Sequence, residues 1–408
     1  MKKASLILLS AALLFAASPD VGKTGMDPEL VAKIAPRIKT FVDRGTIAGA
    51  VMLVQRHGAV AALEAVGYQD MEAKKPMRTD TIFQIMSMTK PVTATGIMIL
   101  AEEGKLTLSD PVEKHLPEFR GMWLVEKKPA DGKSLTLKRP SRVITIRDLM
   151  THTSGMTHPP PEGAKEVYQK MEFSLAQAVA LFSQQPLDFE PGTKWQYSNS
   201  GIATLGRIIE VVADQPYEKF IEERIFRPLG MKDSFYFPPA DKIDRIAMVY
   251  RWENGKLVRA GSDIYGGDPT KYRRGAKFPA PEFGMYSTAS DLAKFYQAMC
   301  NGGANGNARI LSKAAVEVMT AVHTGSIEPS GHAPGMGYGL AWAVVRDPAG
   351  MLQLQSQGTF GHGGAFGTQG WVDPKKDLVG VFLIQRVGLN DGAESKAFMN
   401  MSAAAIVK

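Results

Sequence analysis

The sequence predicts a mixed α/β (α+β) fold, with one sheet made from both ends of the chain and a mainly helical lobe inserted between them. Three observations carry this. Apolar β-like runs occur early, at residues 49–55 and 59–67, and return late, at 340–345, 367–372 and 378–384. From about residue 105 to 280, helix-like segments and irregular loops dominate. Helical patterns at both termini would flank the sheet.

Taken in order, residues 28–44 read as an amphipathic helix with Leu30, Ile34, Ile38 and Val42 on one face. His57-Gly58 separates the first two strand-like runs and reads as a hairpin turn. A helical pattern follows Ser87 and continues through Glu103, where Gly104 supplies a stop. Within the middle of the chain, 146–150, 174–182 and 201–213 are the clearest helices, and Pro159-Pro160-Pro161 and Pro238-Pro239 mark stiff loops. Residues 392–407 read as a closing helix. The expected organisation is a leader over residues 1–25 and a single catalytic domain over 26–408. Its sheet lobe takes about 26–95 and 280–408, and its helical lobe about 96–279.

With 408 residues, 44% of them hydrophobic and 22% charged, the chain can bury a large core without staples. Its formal charge of +7 is spread along the sequence rather than gathered into a stripe interleaved with aromatics, so nucleic-acid binding is not expected. Lys2-Lys3, an apolar core over 6–15 and the small residues Ala16-Ala17-Ser18 read as a secretory signal, too short to span a bilayer comfortably. A periplasmic or secreted protein follows, with no stable membrane span after processing. Cys300 is the single cysteine, so no intramolecular disulfide can form, and its Asn-Gly-Gly surroundings favour packing over reactivity.

Chemistry concentrates in three short stretches. In Ser87-Met88-Thr89-Lys90, a serine and a lysine three residues apart at a helix start lie on one face, so an amine can sit beside a hydroxyl. Alone this is also an ordinary helix start. Tyr197-Ser198-Asn199, at a loop apex before a helix, can present a phenol and an amide to one cleft. The alternative is a cap in which Asn199 or Ser200 starts the helix while Tyr197 is a core ring. His362-Gly363-Gly364-Ala365 leads into a strand, and glycines there weaken a sheet but permit close approach of a ligand or a second backbone.

These three elements, in this order, resemble the serine β-lactamase and penicillin-binding protein-like superfamily. The similarity is greatest to its class C β-lactamase branch and to family VIII carboxylesterases. Residues 148–155, Pro228-Leu229-Gly230-Met231 and 284–291 also resemble this branch, and the resemblance covers about 28–405. It implies an antiparallel class C β-lactamase-like fold and acyl transfer through Ser87. Lys90 would hold Ser87 and Tyr197 in register and help remove the proton. Tyr197 would be the shared general base, with its phenolate favoured by the adjacent Lys90 charge. The resemblance further implies that Asn199 orients Lys90 and substrate, that His362, Gly363 and Gly364 form the substrate-binding edge, and that the Ser87 and Ala365 N–H groups form the oxyanion hole.

One departure bears on the substrate. β-Lactamases and D-Ala-D-Ala peptidases of this fold usually carry Lys-Thr-Gly where this chain has His362-Gly363-Gly364. A histidine with its ordinary pKa of about 6.5 is mostly neutral at pH 7, so a fixed cation and a hydroxyl are both lost. Neutral short-chain esters are therefore the expected substrates of a carboxylesterase with weak β-lactam hydrolysis. A β-lactamase or D-Ala-D-Ala carboxypeptidase, an acyltransferase, and a non-catalytic penicillin-recognising sensor are the alternatives. No G-x-S-x-G elbow occurs, the histidines lack metal spacing, and nothing calls for a cofactor. His152 reads as a loop-fixing residue, and Trp123, Phe283 and Phe366 are candidate pocket rings.

Overall fold

Both ends of the chain enter one sheet. The computed structural model describes residues 21–128, 134–157, 164–270, 275–351, 353–388 and 392–408. Eight strands form the main sheet: β1 (Gly49–Arg56), β2 (Ala59–Asp70), β3 (Lys75–Pro76), β4 (Met336–Tyr338), β5 (Ala343–Val345), β6 (Phe360–Gly363), β7 (Gln369–Asp373) and β8 (Leu378–Leu383). Their order is β4-β5-β6-β7-β8-β1-β2-β3, antiparallel throughout. The ends join where β1 meets β8, with Val51 opposite Leu383. His57 and Gly58 make the hairpin between β1 and β2, and His57 takes a left-handed φ of 53°.

β1 reads as a continuous apolar run because both its faces are covered. Ala50, Met52 and Val54 point to a layer with helix α1 (Ile34–Asp43) and the closing helix, while Val51 and Leu53 point to the larger core shared with the helical lobe. The expected single helix over 28–44 is two, Pro28–Ala32 and α1, broken at Lys33. Helix α2 (Lys90–Glu102) runs through the main core and is buried almost to its end. It packs on the long helix α5 (Asn199–Ala213), which also receives α3 (Ile146–Met150) and α4 (Leu175–Ser183). Capping boxes start α3 at Thr145 and α4 at Ser174. Helix α6 (Ala289–Cys300) covers the core face of β1, β7 and β8, and α7 (Ala393–Ala404) closes the opposite face beside α1.

One expectation is corrected. The run over 340–345 is not one strand. Leu340 and Trp342 are buried but lie in a tight turn, with Ala341 at φ 60° and the Gly339 N–H donating to the Trp342 carbonyl. Strand pairing begins at Ala343, and Met336–Tyr338 supplies an additional edge strand. A short apolar run does not distinguish a strand from a buried turn.

The expected signal, residues 1–18, lies outside the described residues, and of the expected leader over 1–25 only Val21 onward is described. Val21–Thr24 forms one helical turn, and the Thr24 carbonyl accepts from the Arg56 guanidinium at 2.5 Å. Among the described residues no helix is long and apolar enough to cross a membrane.

Candidate active site

Ser87 lies in a short 3₁₀ turn, Met86–Thr89, that leads directly into α2. Met86, just before it, is buried with φ 52°, a left-handed conformation that costs a non-glycine residue about 1–2 kcal/mol. Lys90 follows one turn later as the first residue of α2, wholly buried. Its Nζ donates to Ser87 Oγ at 3.0 Å and to the Glu282 carbonyl at 2.9 Å, and stands 4.6 Å from the centre of the Tyr197 ring. Burial lowers the Lys90 pKa to about 7, and the nearby Glu282 carboxyl opposes that shift.

Tyr197 hydrogen-bonds through its phenol to Ser87. Its pKa moves up, chiefly by burial, with the Ser87 bond acting in the opposite direction. Of the two proton arrangements that the sequence leaves open for this pair, burial favours a neutral amine on Lys90 and a neutral phenol on Tyr197 over a cation and a phenolate. The loop holding Tyr197 is fixed by Ser198, whose hydroxyl accepts the Gly201 N–H and caps α5. Neither Asn199 nor Ser200 is the cap, and α5 starts at Asn199.

Asn199 is buried; its amide donates to the Tyr265 hydroxyl at 2.5 Å, and its Oδ1 has no hydrogen-bond partner among the described residues. Lys90 donates to Ser87 and to the Glu282 carbonyl, while the Asn199 amide donates to Tyr265.

From the other side, β6 brings His362, Gly363 and Gly364. His362 is buried; its Nε2 is 3.1 Å from the Tyr338 hydroxyl and its Nδ1 2.7 Å from the Gly363 carbonyl oxygen. A Cβ on Gly364 would collide with the Ile85 carbonyl oxygen and Thr368 Oγ1, so only glycine lets this strand end lie against the backbone leading to Ser87. At Gly363 a Cβ would meet only the end of the Gln369 side chain, at 2.8 Å.

A cavity of about 430 Å³ opens onto these groups. Ser87, Tyr197, His362, Gly363 and Ala365 line its reactive end, and Met336, Val345, Phe360 and Met399 line an apolar stretch beyond. Of the sequence-predicted residues, Ser87, Lys90, Tyr197, His362, Gly363 and Ala365 thus gather at one place, while Gly364 packs behind it and Asn199 beside it. Phe283 and Phe366 are buried in the core, and Trp123 stacks under Arg139 on the surface; none lines this cavity.

Sequence reasoning passed over four residues here. Glu282 is fully buried beside Lys90, burial lifts its pKa to about 8, and neither carboxylate oxygen has a full hydrogen-bond partner, although the Tyr168 phenol faces it. Tyr265 holds Asn199, Tyr338 holds His362, and His332 lies 4.9 Å from the Tyr197 ring, centre to centre. No periodicity or spacing marked any of them. His152 does fix its loop by hydrogen bonds, to Ser198 and Tyr338; His158 lies outside the described residues.

The chain is similar to known proteins along almost all of its described length. Residues 34–405 match the family described as Beta-lactamase. Protein Rv1367c of Mycobacterium tuberculosis (strain ATCC 25618 / H37Rv) is 33% identical over 362 residues, covering 85% of this chain and 88% of its own. Esterase EstB of Burkholderia gladioli is 30% identical over 366 residues, covering 84% and 88%. Among solved structures, EstCE1, a hydrolase with promiscuous acyltransferase activity, superposes with a TM-score of 0.78 at 29% identity, covering 93% of this chain and 99% of that one. With an antiparallel sheet assembled from both chain ends and a family match running from Ile34 to Ala405, the chain belongs to the Beta-lactamase family.

Proposed function

We propose that the protein is a serine hydrolase that forms an acyl-enzyme at Ser87 and hydrolyses short-chain, uncharged carboxylic esters. The observation that carries this is the Ser87 hydroxyl 3.0 Å from a buried Lys90 amine and bonded to the Tyr197 phenol, at the mouth of a cavity whose third motif offers a buried imidazole in place of a cation. Ser87 Oγ attacks the ester carbonyl carbon while its proton passes to Lys90 Nζ. The carbonyl oxygen becomes an oxyanion held by the Ser87 and Ala365 N–H groups. Tyr197 gives its phenol proton to the departing alkoxide as the C–O bond breaks to leave the acyl-enzyme, and the Lys90 ammonium reprotonates the phenolate so formed. Water then attacks the acyl carbon by the same proton route in reverse. One oxyanion donor of this kind contributes about 2.7–4 kcal/mol to transition-state stabilisation. EstB, an esterase by name, and EstCE1, a hydrolase, support ester hydrolysis.

The test is a side-by-side kinetic comparison of p-nitrophenyl acetate, butyrate and octanoate with a chromogenic cephalosporin. Ester turnover far above cephalosporin turnover is expected, with the shorter acyl chains preferred. Strong cephalosporin turnover with negligible ester turnover would instead make the protein a β-lactamase. Ser87→Ala should abolish both activities, and residual activity above roughly a tenth of wild type would remove Ser87 as the nucleophile.

A further inference from the structure

We propose that His152 and Tyr338 are positioning residues that lock His362 into a single neutral tautomer, so that the third motif presents no titrating charge to the substrate. Four hydrogen bonds run in one unbroken line. The Ser198 N–H meets His152 Nδ1 at 3.2 Å, His152 Nε2 meets the Tyr338 hydroxyl at 3.1 Å, that hydroxyl meets His362 Nε2 at 3.1 Å, and His362 Nδ1 meets the Gly363 carbonyl oxygen at 2.7 Å.

Both ends of the line have only one possible polarity. A backbone N–H can only donate and a carbonyl oxygen can only accept. From the Ser198 end, His152 Nδ1 must accept, so its proton is on Nε2 and is donated to the Tyr338 oxygen. Tyr338 then has one proton left, which points at His362 Nε2. From the Gly363 end, His362 Nδ1 must carry a proton, which leaves Nε2 as the acceptor that Tyr338 requires. The two derivations meet without conflict, and each imidazole is neutral. A second proton on His362 would set Nε2–H against the Tyr338 hydroxyl, which would face two donors while its own proton lost its acceptor, and a buried group left unpaired is destabilised.

The surroundings act in the same direction. His152, Tyr338 and His362 are all buried. The groups facing His362 are Lys90, His332, Tyr197 and Tyr338, and the two that can be cationic disfavour a further positive charge. Burial and the Lys90 charge push the His362 pKa down to about 3.

The line also spans the site. Ser198 caps α5 beside Tyr197, His152 follows α3 with a left-handed φ of 59°, Tyr338 ends β4, and Gly363 ends β6 just before Ala365. The loop carrying Tyr197 and the strand leading to the oxyanion position are thereby held in one register. A cation at His362 would attract substrate carboxylates; its exclusion deepens the preference for uncharged esters and, for turnover only, rests on the esterase reading.

The experiment is nitrogen-15 NMR of the full chain labelled at histidine, with His362 assigned by the signal lost in His362→Gln. From pH 5 to pH 8 the expected spectrum is that of a neutral imidazole protonated at Nδ1. An imidazolium, or a tautomer protonated at Nε2, in that range would overturn the proposal. In Tyr338→Phe the Nε2 signal should shift, and a His362 titration should enter the window above pH 5. The ratio of kcat/KM for p-nitrophenyl hemisuccinate to that for p-nitrophenyl butyrate should then rise several-fold more between pH 8 and pH 5.5 than it does in wild type, where Lys90 alone changes charge. A Tyr338→Phe protein whose His362 signals are unchanged would assign the locking to burial alone and defeat the role given to Tyr338. The wild-type spectrum decides the tautomer even if that variant does not fold. It needs no turnover, so failure of the esterase reading is separable from failure of this one.

Discussion

Lys90 is completely buried, and its two hydrogen-bond acceptors are a hydroxyl and a backbone carbonyl, neither of them charged. Burial penalises the ammonium, which brings the group from its ordinary 10.5 to about 7. The amine is the form that can take the Ser87 proton, and it is populated above that pH. kcat/KM for a p-nitrophenyl ester should therefore rise as pH increases through about 7 and level off above it. Glu282, when ionised, works against this, because its negative charge helps Lys90 keep its proton. Glu282→Gln removes that charge, so the acid limb of the profile should move to lower pH; a limb that stays put or moves up would show that the two groups are not coupled. They share protons as a pair, so the limb belongs to both. Tyr197→Phe should keep its circular-dichroism spectrum and lose about 10²-fold in rate, whereas near wild-type turnover would remove Tyr197 as the proton donor to the leaving group. At this scale the sequence was legible where type and spacing carry chemistry: Ser87, Lys90 and Tyr197 announce themselves by order and interval. Glu282 does not, since a glutamate in Pro279-Ala280-Pro281-Glu282 looks like any polar loop residue until the fold buries it.

The elements that carry the site end abruptly at it. Four non-glycine residues near it are in the left-handed region: Met86 before Ser87, His152 after α3, Ala280 in the Glu282 turn and Ala341 between β4 and β5. Such conformations persist where surrounding structure over-determines them, and they collect at functional sites. The same turns explain which elements could be read beforehand. Strands β1, β2 and β8 and helices α2 and α5 follow from long apolar patterns with recognisable stops. β4 and the start of β5 do not, because Leu340, Ala341 and Trp342 are apolar for core packing while their backbone turns. The two glycines of the third motif, alike in sequence, are also set apart by packing. Gly364→Ala must displace the Ile85 carbonyl or Thr368, both held in a mutual hydrogen bond of 2.9 Å. A loss of about 1–3 kcal/mol in denaturant-induced unfolding is expected, together with a fall in kcat as the turn bearing Ser87 shifts. Gly363→Ala asks only a flexible Gln369 side chain to move, so its unfolding midpoint should stay within about 0.5 kcal/mol of wild type. Equal losses for the two variants would contradict this packing argument.

Across the whole molecule, the sheet works because residues more than 300 positions apart pair at its centre, Val51 with Leu383. Apolar runs at both ends made that pairing readable, but nothing in their pattern shows what secures the final helix. The structure places Arg386 and Glu394 there. They are 4% and 3% exposed, and they are joined by a 2.6 Å hydrogen bond from Nη2 to Oε1. The same guanidinium donates to the Thr46 carbonyl between α1 and β1, and the Arg386 N–H donates to the Phe366 carbonyl, one residue past Ala365. One residue thus ties the three together: its guanidinium joins the first strand's entry to the closing helix, and its backbone N–H holds the loop of Ala365. Contrast Lys39–Asp43 on α1, an ion pair of equal length with both partners more than half exposed. Removing an exposed partner costs at most about 1 kcal/mol, whereas truncating one member of a buried pair leaves an uncompensated charge and costs about 3–5 kcal/mol. Glu394→Ala should therefore lower the unfolding free energy in urea by about that larger amount, and Asp43→Ala should barely register. Because the Ala365 loop hangs on the same arginine, Glu394→Ala should also reduce esterase kcat at temperatures where the variant is still folded. A Glu394→Ala protein as stable as Asp43→Ala would mean that water reaches Arg386, and the closing helix would then be held by its apolar face against Trp371 and Phe382 alone.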